Sequence, residues 1–278
     1  MNAAMDARLQ RRVQRYGWDL AADAYARHWH GPLAGVQAEL LALAAPAPGE
    51  AVLDVACGAG VMAVAAAHAV GPAGRVVGVD LSDAMVQASQ QRAQDLNLGQ
   101  AAFARMDAEQ LQLPDAHFDL VLCALGLMYV PDPDAALREV HRVLRPGGRA
   151  VLAVWGERAR CGWAALFGIV DAEVRSEVCP LFFGLGQGAA LASLCASVDL
   201  QVTQQRRRSD TLDYANADEA CAAAFAGGPV ALAWSRFDTA VRERVQLRYL
   251  ASIAQFRDGQ GYRVPAEYVI VAAERLPR

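Results

Sequence analysis

The sequence predicts an α/β fold built on a doubly wound, seven-stranded, mostly parallel sheet. Three observations predict it. Short apolar runs recur at 52–55, 75–79, 101–104, 118–123 and 149–155, and most are separated by helix-length segments, the alternation of βαβ units. The first run passes through Asp54 into the small-residue turn Ala56-Cys57-Gly58-Ala59-Gly60, then into the Ala-rich stretch 61–70. Arg145-Pro146-Gly147-Gly148 stops one helix and opens the fifth strand.

The elements follow in order. Residues 18–30 and 33–44 read as helices that end before Pro46 and Pro48-Gly49. A helix over 82–97 has Ser82 as its N-cap, and a further helix covers 133–144. After Trp155 the alternation loosens. Helices are expected at 162–177 and 188–197, a strand at 200–207, mostly helix over 214–257 and a last strand at 267–273. The last two strands suit an antiparallel hairpin. The chain thus divides into an N-terminal helical cover (1–45), an α/β core (46–155) and a C-terminal part (156–278) of covering helices plus the sheet's last strands, all within one structural domain.

Composition narrows the function. With 278 residues and 54% hydrophobic content the chain can bury a sizeable core, and a net charge of −4 offers no global basic field for nucleic acid or anionic membrane. No apolar run is long enough to span a bilayer, and no secretory leader is visible. Arg8, Arg11, Arg12 and Arg15 read as a solvated helix face, and Arg206-Arg207-Arg208 as a device that protects an edge strand. All 26 basic residues are Arg, which excludes a P-loop lysine and a Schiff-base lysine. Six scattered cysteines form no C-x-x-C and no metal-type spacing, so no metal is expected. Cys57, Cys123 and Cys195 read as buried thiols of a reducing compartment, and the cytoplasm is the expected location.

The chemistry gathers at the strand ends. Asp54 and the glycine turn end strand one, Asp80 ends strand two, Asp107 follows strand three, and Cys123-Ala124 ends strand four. In an open parallel sheet these positions meet in one crevice at the switch point. An acid after strand two can accept from both ribose hydroxyls. A polar group after strand three can accept from an adenine amine. Asp54 would attract a cationic amino-acid or sulfonium group. S-adenosyl-L-methionine (SAM) satisfies all three. Asp80 can also be read as an acid at a helix N-terminus, and Asp107 as the cap of a short helix at 108–112.

With these motifs the sequence resembles the class I SAM-dependent methyltransferases, in particular the small-molecule group that includes the ubiquinone and menaquinone C-methylating enzymes. The resemblance rests on the 54–60 loop, Asp80, Asp107-Ala108, Phe118-Asp119-Leu120-Val121 and the stretch 137–148, and the segment 18–29 looks like that group's N-terminal helix. It implies a cofactor site made of Tyr25, Asp54, Ala56, Cys57, Gly58, Gly60, Asp80, Leu81, Met85, Asp107, Ala108, Cys123 and Ala124. Two departures stand out. Ala56 occupies the place of the loop's usual first glycine, and 124–132 lacks the pattern expected of a quinone C-methylase.

The remaining apolar and aromatic residues suggest an acceptor pocket from Trp29, Met128, Tyr129, Trp155 and Phe183, with Trp163 among its further aromatics. His28 and His30, beside Trp29 at the end of the helical cover, are candidate bases. The expected acceptor is a small, apolar, aromatic or heteroaromatic molecule. O-methylation is expected ahead of N-methylation, with quinone C-methylation as an alternative. Gly58-Ala59-Gly60-Val61-Met62-Ala63 also matches a dinucleotide fingerprint, so an NAD(P)-dependent oxidoreductase is the alternative from another class. No nucleic-acid or membrane partner is expected, and a monomer or homodimer is anticipated.

Overall fold

A computed structural model describes residues 7–174 and 182–277. Two helices open the chain, α1 (Ala7–His28) and α2 (His30–Ala44). The core alternates β1 (Ala51–Val55), α3 (Val61–Val70), β2 (Arg75–Asp80), α4 (Asp83–Asp95), β3 (Ala101–Arg105), β4 (Phe118–Ala124), α5 (Pro133–Val143) and β5 (Leu144–Trp155). Then come α6 (Ala165–Asp171), α7 (Ala190–Ser197), β6 (Leu200–Tyr214), α8 (Ala217–Cys221), α9 (Ala231–Arg236), α10 (Thr239–Ile253), the two-residue β7 (Arg257–Asp258) and β8 (Gly261–Arg275).

One sheet runs β3-β2-β1-β4-β5-β8-β6, and β7 pairs with β8. The first five strands are parallel, whereas β8 is antiparallel to both β5 and β6. This is the expected doubly wound sheet with a late antiparallel hairpin, and β7 is an eighth strand too short to show in the pattern. Val52, Leu53 and Val55 in β1 and Leu120, Val121 and Leu122 in β4 are all buried, as strands covered on both faces require. Because β1 lies between β2 and β4, the chain leaves it toward opposite edges and opens a crevice at the carboxyl ends.

Several boundaries differ from the sequence expectation. Strands β6 and β8 reach 15 residues each, about twice the length expected of them. In β6 the unexpected half, 208–214, carries Arg208, Ser209, Asp210 and Asp213, so hydrophobic alternation does not mark it although pairing with β8 continues to Tyr214. The expected helix at 162–177 shortens to α6, and its last residues lie outside the described ones. No helix forms at 108–112; Asp107 instead closes a turn, bridging to Gln110 and accepting from the Glu109 N–H at 3.0 Å. Cys57, Cys123, Cys161, Cys195 and Cys221 are buried and free, and Cys179 falls outside the described residues.

The arginine readings need correction. Helix α1 begins at Ala7, eleven residues before the expected start, and its arginine-rich turn is not merely solvated. Arg11 pairs with Asp107 at 3.0 Å and with Glu109, and Arg15 meets Asp83 at 2.6 Å. Further along the helix, Asp19 accepts from the Ser82 hydroxyl at 2.7 Å and the Ala84 N–H at 3.2 Å. Helix α1 is thus strapped across the carboxyl ends of β2 and β3. In β6, Arg207 binds Glu267 at 2.8 Å and the carbonyls of Gly186 and Gly188, while Arg208 binds Glu39 and Asp210. These side chains tie the sheet edge to its covering segments.

Candidate active site

The loop after β1 has a backbone that few residue types adopt. Ala56, Gly58 and Gly60 have φ of +55°, +54° and +78°. For alanine this left-handed geometry is strained by about 1 kcal/mol or more. The Ala56 methyl finds room only because residue 126 lacks a side chain: a Cβ on Gly126 would lie 2.3 Å from the Ala56 Cβ. The departure from glycine at 56 therefore depends on Gly126, at the end of the neighbouring strand. At Gly60 a Cβ would come within 3.0–3.1 Å of Ser89, whose hydroxyl donates to the Gly58 carbonyl at 2.6 Å.

Asp80 organises this loop. One carboxylate oxygen accepts from the Gly58 N–H and the other from the Ser82 N–H, both at 2.9 Å. The helix-terminus and ligand-binding readings of Asp80 are therefore compatible, because each oxygen keeps a further lone pair. Burial raises its pKa above the usual carboxylate range, with the Asp19 charge adding to the rise, while the N–H groups of Ser82 and Gly58 oppose it. Asp54 is 1% exposed, and neither of its oxygens has a hydrogen-bond partner. Burial, reinforced by the Asp80 charge, pushes it up to about 8. Two acids without a basic partner at the head of a crevice suit a cation.

These acids predict a pH effect. Native Asp54 holds a proton that the unfolded chain releases near pH 4, so between about pH 4 and 8 the native state binds more protons. Stability of the ligand-free chain is therefore expected to fall as pH rises through that window. Urea unfolding at pH 6 and pH 8 measures this, and Asp54→Asn should flatten the trend. A wild-type slope no steeper than the variant's contradicts it.

One pocket collects most of the predicted cofactor residues: Tyr25, Ala56, Gly58, Asp80, Leu81, Met85, Asp107, Ala108 and Ala124 line it. The buried Asp54, Cys57, Gly60 and Cys123 do not; Asp54 and Gly60 flank that lining in sequence, and Cys57 and Cys123 have thiols raised by burial. Of the predicted acceptor residues, Trp29, Tyr129 and Trp155 line the pocket, whereas Met128 and Phe183 sit in the core. His28 is half-buried and His30 exposed, and neither lines it.

Sequence reasoning missed the contribution of the first helix. Arg11, Gln14 and Trp18 join Tyr25 in the lining. Their spacing of three, four and seven residues marks one face of a helix, a signal available in the sequence. A Cβ on Gly58 would meet the Tyr25 ring at 3.7 Å, so α1 lies directly over the glycine loop. Arg11→Ala should release this cover in part. Affinity for S-adenosylhomocysteine is expected to fall several-fold and to lose some of its salt sensitivity, since part-exposed ion pairs contribute about 1 kcal/mol or less each. Calorimetry at two ionic strengths measures it, and unchanged affinity and salt response would contradict the role.

Beyond the acids the pocket becomes aromatic. Trp29, Trp155, Trp163, Tyr214 and Tyr249 line that end with Leu33, Leu166 and Pro229. Trp155 stacks on Tyr268 at 4.6 Å and meets Trp163 edge-on at 4.8 Å. Among the described residues, no His, Arg, Asp or Glu belongs to this end of the lining; the charged lining residues are Arg11, Asp80 and Asp107 at the other end.

An acid-tipped parallel sheet with a glycine loop at its switch point has the geometry that suits a nucleoside cofactor. Residues 52–148 match the methyltransferase domain family. The chain is 41% identical over 106 residues to a ubiquinone/menaquinone biosynthesis C-methyltransferase of a Shewanella species, covering 38% of this chain and 42% of that protein. It is 39% identical over 119 residues to a demethylmenaquinone methyltransferase of Geobacillus kaustophilus, covering 43% and 51%. The aligned stretch thus spans about half the length of these curated relatives, or less. A methyltransferase candidate from Bacillus halodurans shares the fold at a TM-score of 0.62 and 18% identity, over 87% of this chain and 99% of that one. Residues 52–148 are thus similar to a methyltransferase domain, and the sheet as a whole has the fold of such structures. No described helix is long and apolar enough to cross a membrane.

Proposed function

We propose that this chain transfers a methyl group from SAM to a small, uncharged, largely apolar aromatic or heteroaromatic acceptor. The observation that carries the reading is a single pocket with two characters. Asp80 and Asp107 line one end with Asp54 close by, while tryptophans and tyrosines line the other. Asp80 would hold the ribose hydroxyls and Asp107 the adenine amine, and the field of the buried acids would favour the cationic sulfonium and amino groups. SAM supplies an already activated methyl group, so the protein's task is to align the acceptor and exclude water. Tyr25, held neutral by burial and by the Asp80 charge, would close the site over the loop.

Our expectation of O-methylation ahead of C-methylation gains no support from the relatives, one named a C-methyltransferase of ubiquinone/menaquinone biosynthesis and another a demethylmenaquinone methyltransferase. The matched domain holds Asp54, Asp80 and Asp107, whereas the aromatic residues Trp29, Trp155, Trp163, Tyr214 and Tyr249 lie outside it. An electron-rich hydroxyaromatic ring of the reduced-quinone type suits the uncharged aromatic end, and we place C-methylation of such a ring first. The histidine bases do not enter this reading, because neither lines the pocket. The test incubates the purified chain with methyl-deuterated SAM and a panel of naphthols, hydroxyquinolines and reduced naphthoquinones. A labelled methyl on ring carbon supports the reading. Labelled protein or nucleic acid as the sole product overturns it.

A further inference from the structure

The aromatic end of the pocket contains a polar group with no partner. Trp163 lines the pocket and is 3% exposed, yet its indole N–H has no acceptor within the described chain. Trp29, at the same end, donates its own indole N–H to the Ala223 carbonyl at 3.0 Å. Buried tryptophans usually find such an acceptor, and an orphaned N–H costs about 1–3 kcal/mol.

The position of Trp163 is firmly set. It occupies a turn just after β5, where the Gly162 N–H donates to Pro265 at 2.8 Å and the Ala164 N–H to Cys161 at 3.0 Å. A Cβ on Gly162 would strike the Phe256 ring at 2.6 Å, so the turn packs against its neighbours too closely to shift. The indole itself is wedged among Trp155, Phe167, Phe182 and Phe183, with centroids 4.8–5.9 Å away. In this packing the N–H meets no acceptor among the described residues. A ligand in the pocket can supply one.

We propose that the Trp163 indole N–H is the hydrogen-bond donor that fixes the methyl acceptor in the pocket, so that the acceptor carries a carbonyl or hydroxyl oxygen on its aromatic body. This rests on the methyltransferase reading above and adds a binding residue and a required group on the substrate. Trp163 selects for an oxygen at one point of the ring system, and the surrounding aromatics accept any flat apolar body.

The test uses two near-isosteric probes, 2-acetylnaphthalene and 2-isopropenylnaphthalene, which differ in having a carbonyl oxygen or a methylene at the same place. Binding is measured to the wild-type chain and to Trp163→Phe, each saturated with S-adenosylhomocysteine. Wild type should prefer the ketone by about five- to tenfold, and Trp163→Phe should bind the two probes equally. If Trp163→Phe does not fold, the wild-type chain labelled with 15N at its five tryptophans provides the measurement. One indole proton should then move downfield with the ketone and none with the hydrocarbon. Equal affinity of wild type for the two probes, a preference retained in Trp163→Phe, or absence of binding by either probe overturns the inference. Failure to bind S-adenosylhomocysteine overturns the methyltransferase reading itself.

Discussion

Asp80→Ala is expected to weaken binding of S-adenosylhomocysteine by at least about 100-fold. The side chain has two tasks at once. Its oxygens accept from the N–H groups of Gly58 and Ser82 at 2.9 Å, which ties the glycine loop of β1 to the start of α4. Asp80 also lines the pocket, where its remaining lone pairs would accept from the ribose hydroxyls. Hydrogen bonds to a charged group contribute about 1.5–3 kcal/mol each, so losing two to the ligand gives the expected magnitude before any loosening of the loop. Asp80→Asn keeps the shape but offers one acceptor oxygen and turns an NH2 toward one of the two N–H groups, so affinity should fall by an intermediate amount and the melting temperature should drop as well. Calorimetry and thermal unfolding on both variants make the measurement. Undiminished affinity in Asp80→Ala, or uptake of a nicotinamide dinucleotide in place of the adenosyl ligand, would sink the cofactor assignment.

Gly126→Ala should destabilise the chain by about 2 kcal/mol, and Ala56→Gly should restore much of that loss. Residue 126 has φ of −101°, which any residue can adopt, so backbone strain is not the issue. The new methyl would overlap the Ala56 methyl at 2.3 Å and approach the Cys123 sulfur at 3.3 Å. Overpacking of this kind costs about 1–3 kcal/mol. Replacing Ala56 by glycine removes the worse overlap and also relieves a left-handed alanine, φ +55°, although the freer unfolded chain offsets part of the gain. The pair should therefore be non-additive by about 1–2 kcal/mol in urea unfolding. Additive single effects would show that the two positions do not share the same space. Because both residues line the pocket, the Gly126→Ala variant should also bind S-adenosylhomocysteine more weakly than wild type.

Much of the cofactor end is legible in the amino-acid sequence. Five strands and their order of appearance follow from apolar runs separated by helical segments, and Asp54, Asp80 and Asp107 fall where those runs end. The reason is local. A strand covered on both faces must be apolar along its length, so the polar residue that ends it is conspicuous, and the loop's left-handed backbone requires small residues. Ser82 as the cap of α4 is equally visible, and its hydroxyl accepts from the Met85 N–H at 3.1 Å.

The segments whose sequence misleads share a different physics. The arginines of α1 read as solvated because a sequence does not show which acids lie opposite them; Asp107 and Glu109 are nearly 100 residues away along the chain. The second half of β6 is hidden by its polar edge, where pairing with β8 replaces hydrophobic alternation as the organising force. Tyr214 and Tyr249 do not stand out as pocket residues because one ends an edge strand and the other sits mid-helix, and only the fold brings them to the same pocket.

The sequence by itself determined the sheet, the glycine loop and the acids at its strand ends, because each depends on neighbours within a few residues. Tertiary structure alone decided how α1 straps over the crevice, why Ala56 is tolerated opposite Gly126, and that Trp163 is left with an unused N–H. Those outcomes are set by van der Waals contact and charge pairing between segments far apart in the chain, and such pairings are fixed only when the chain is packed.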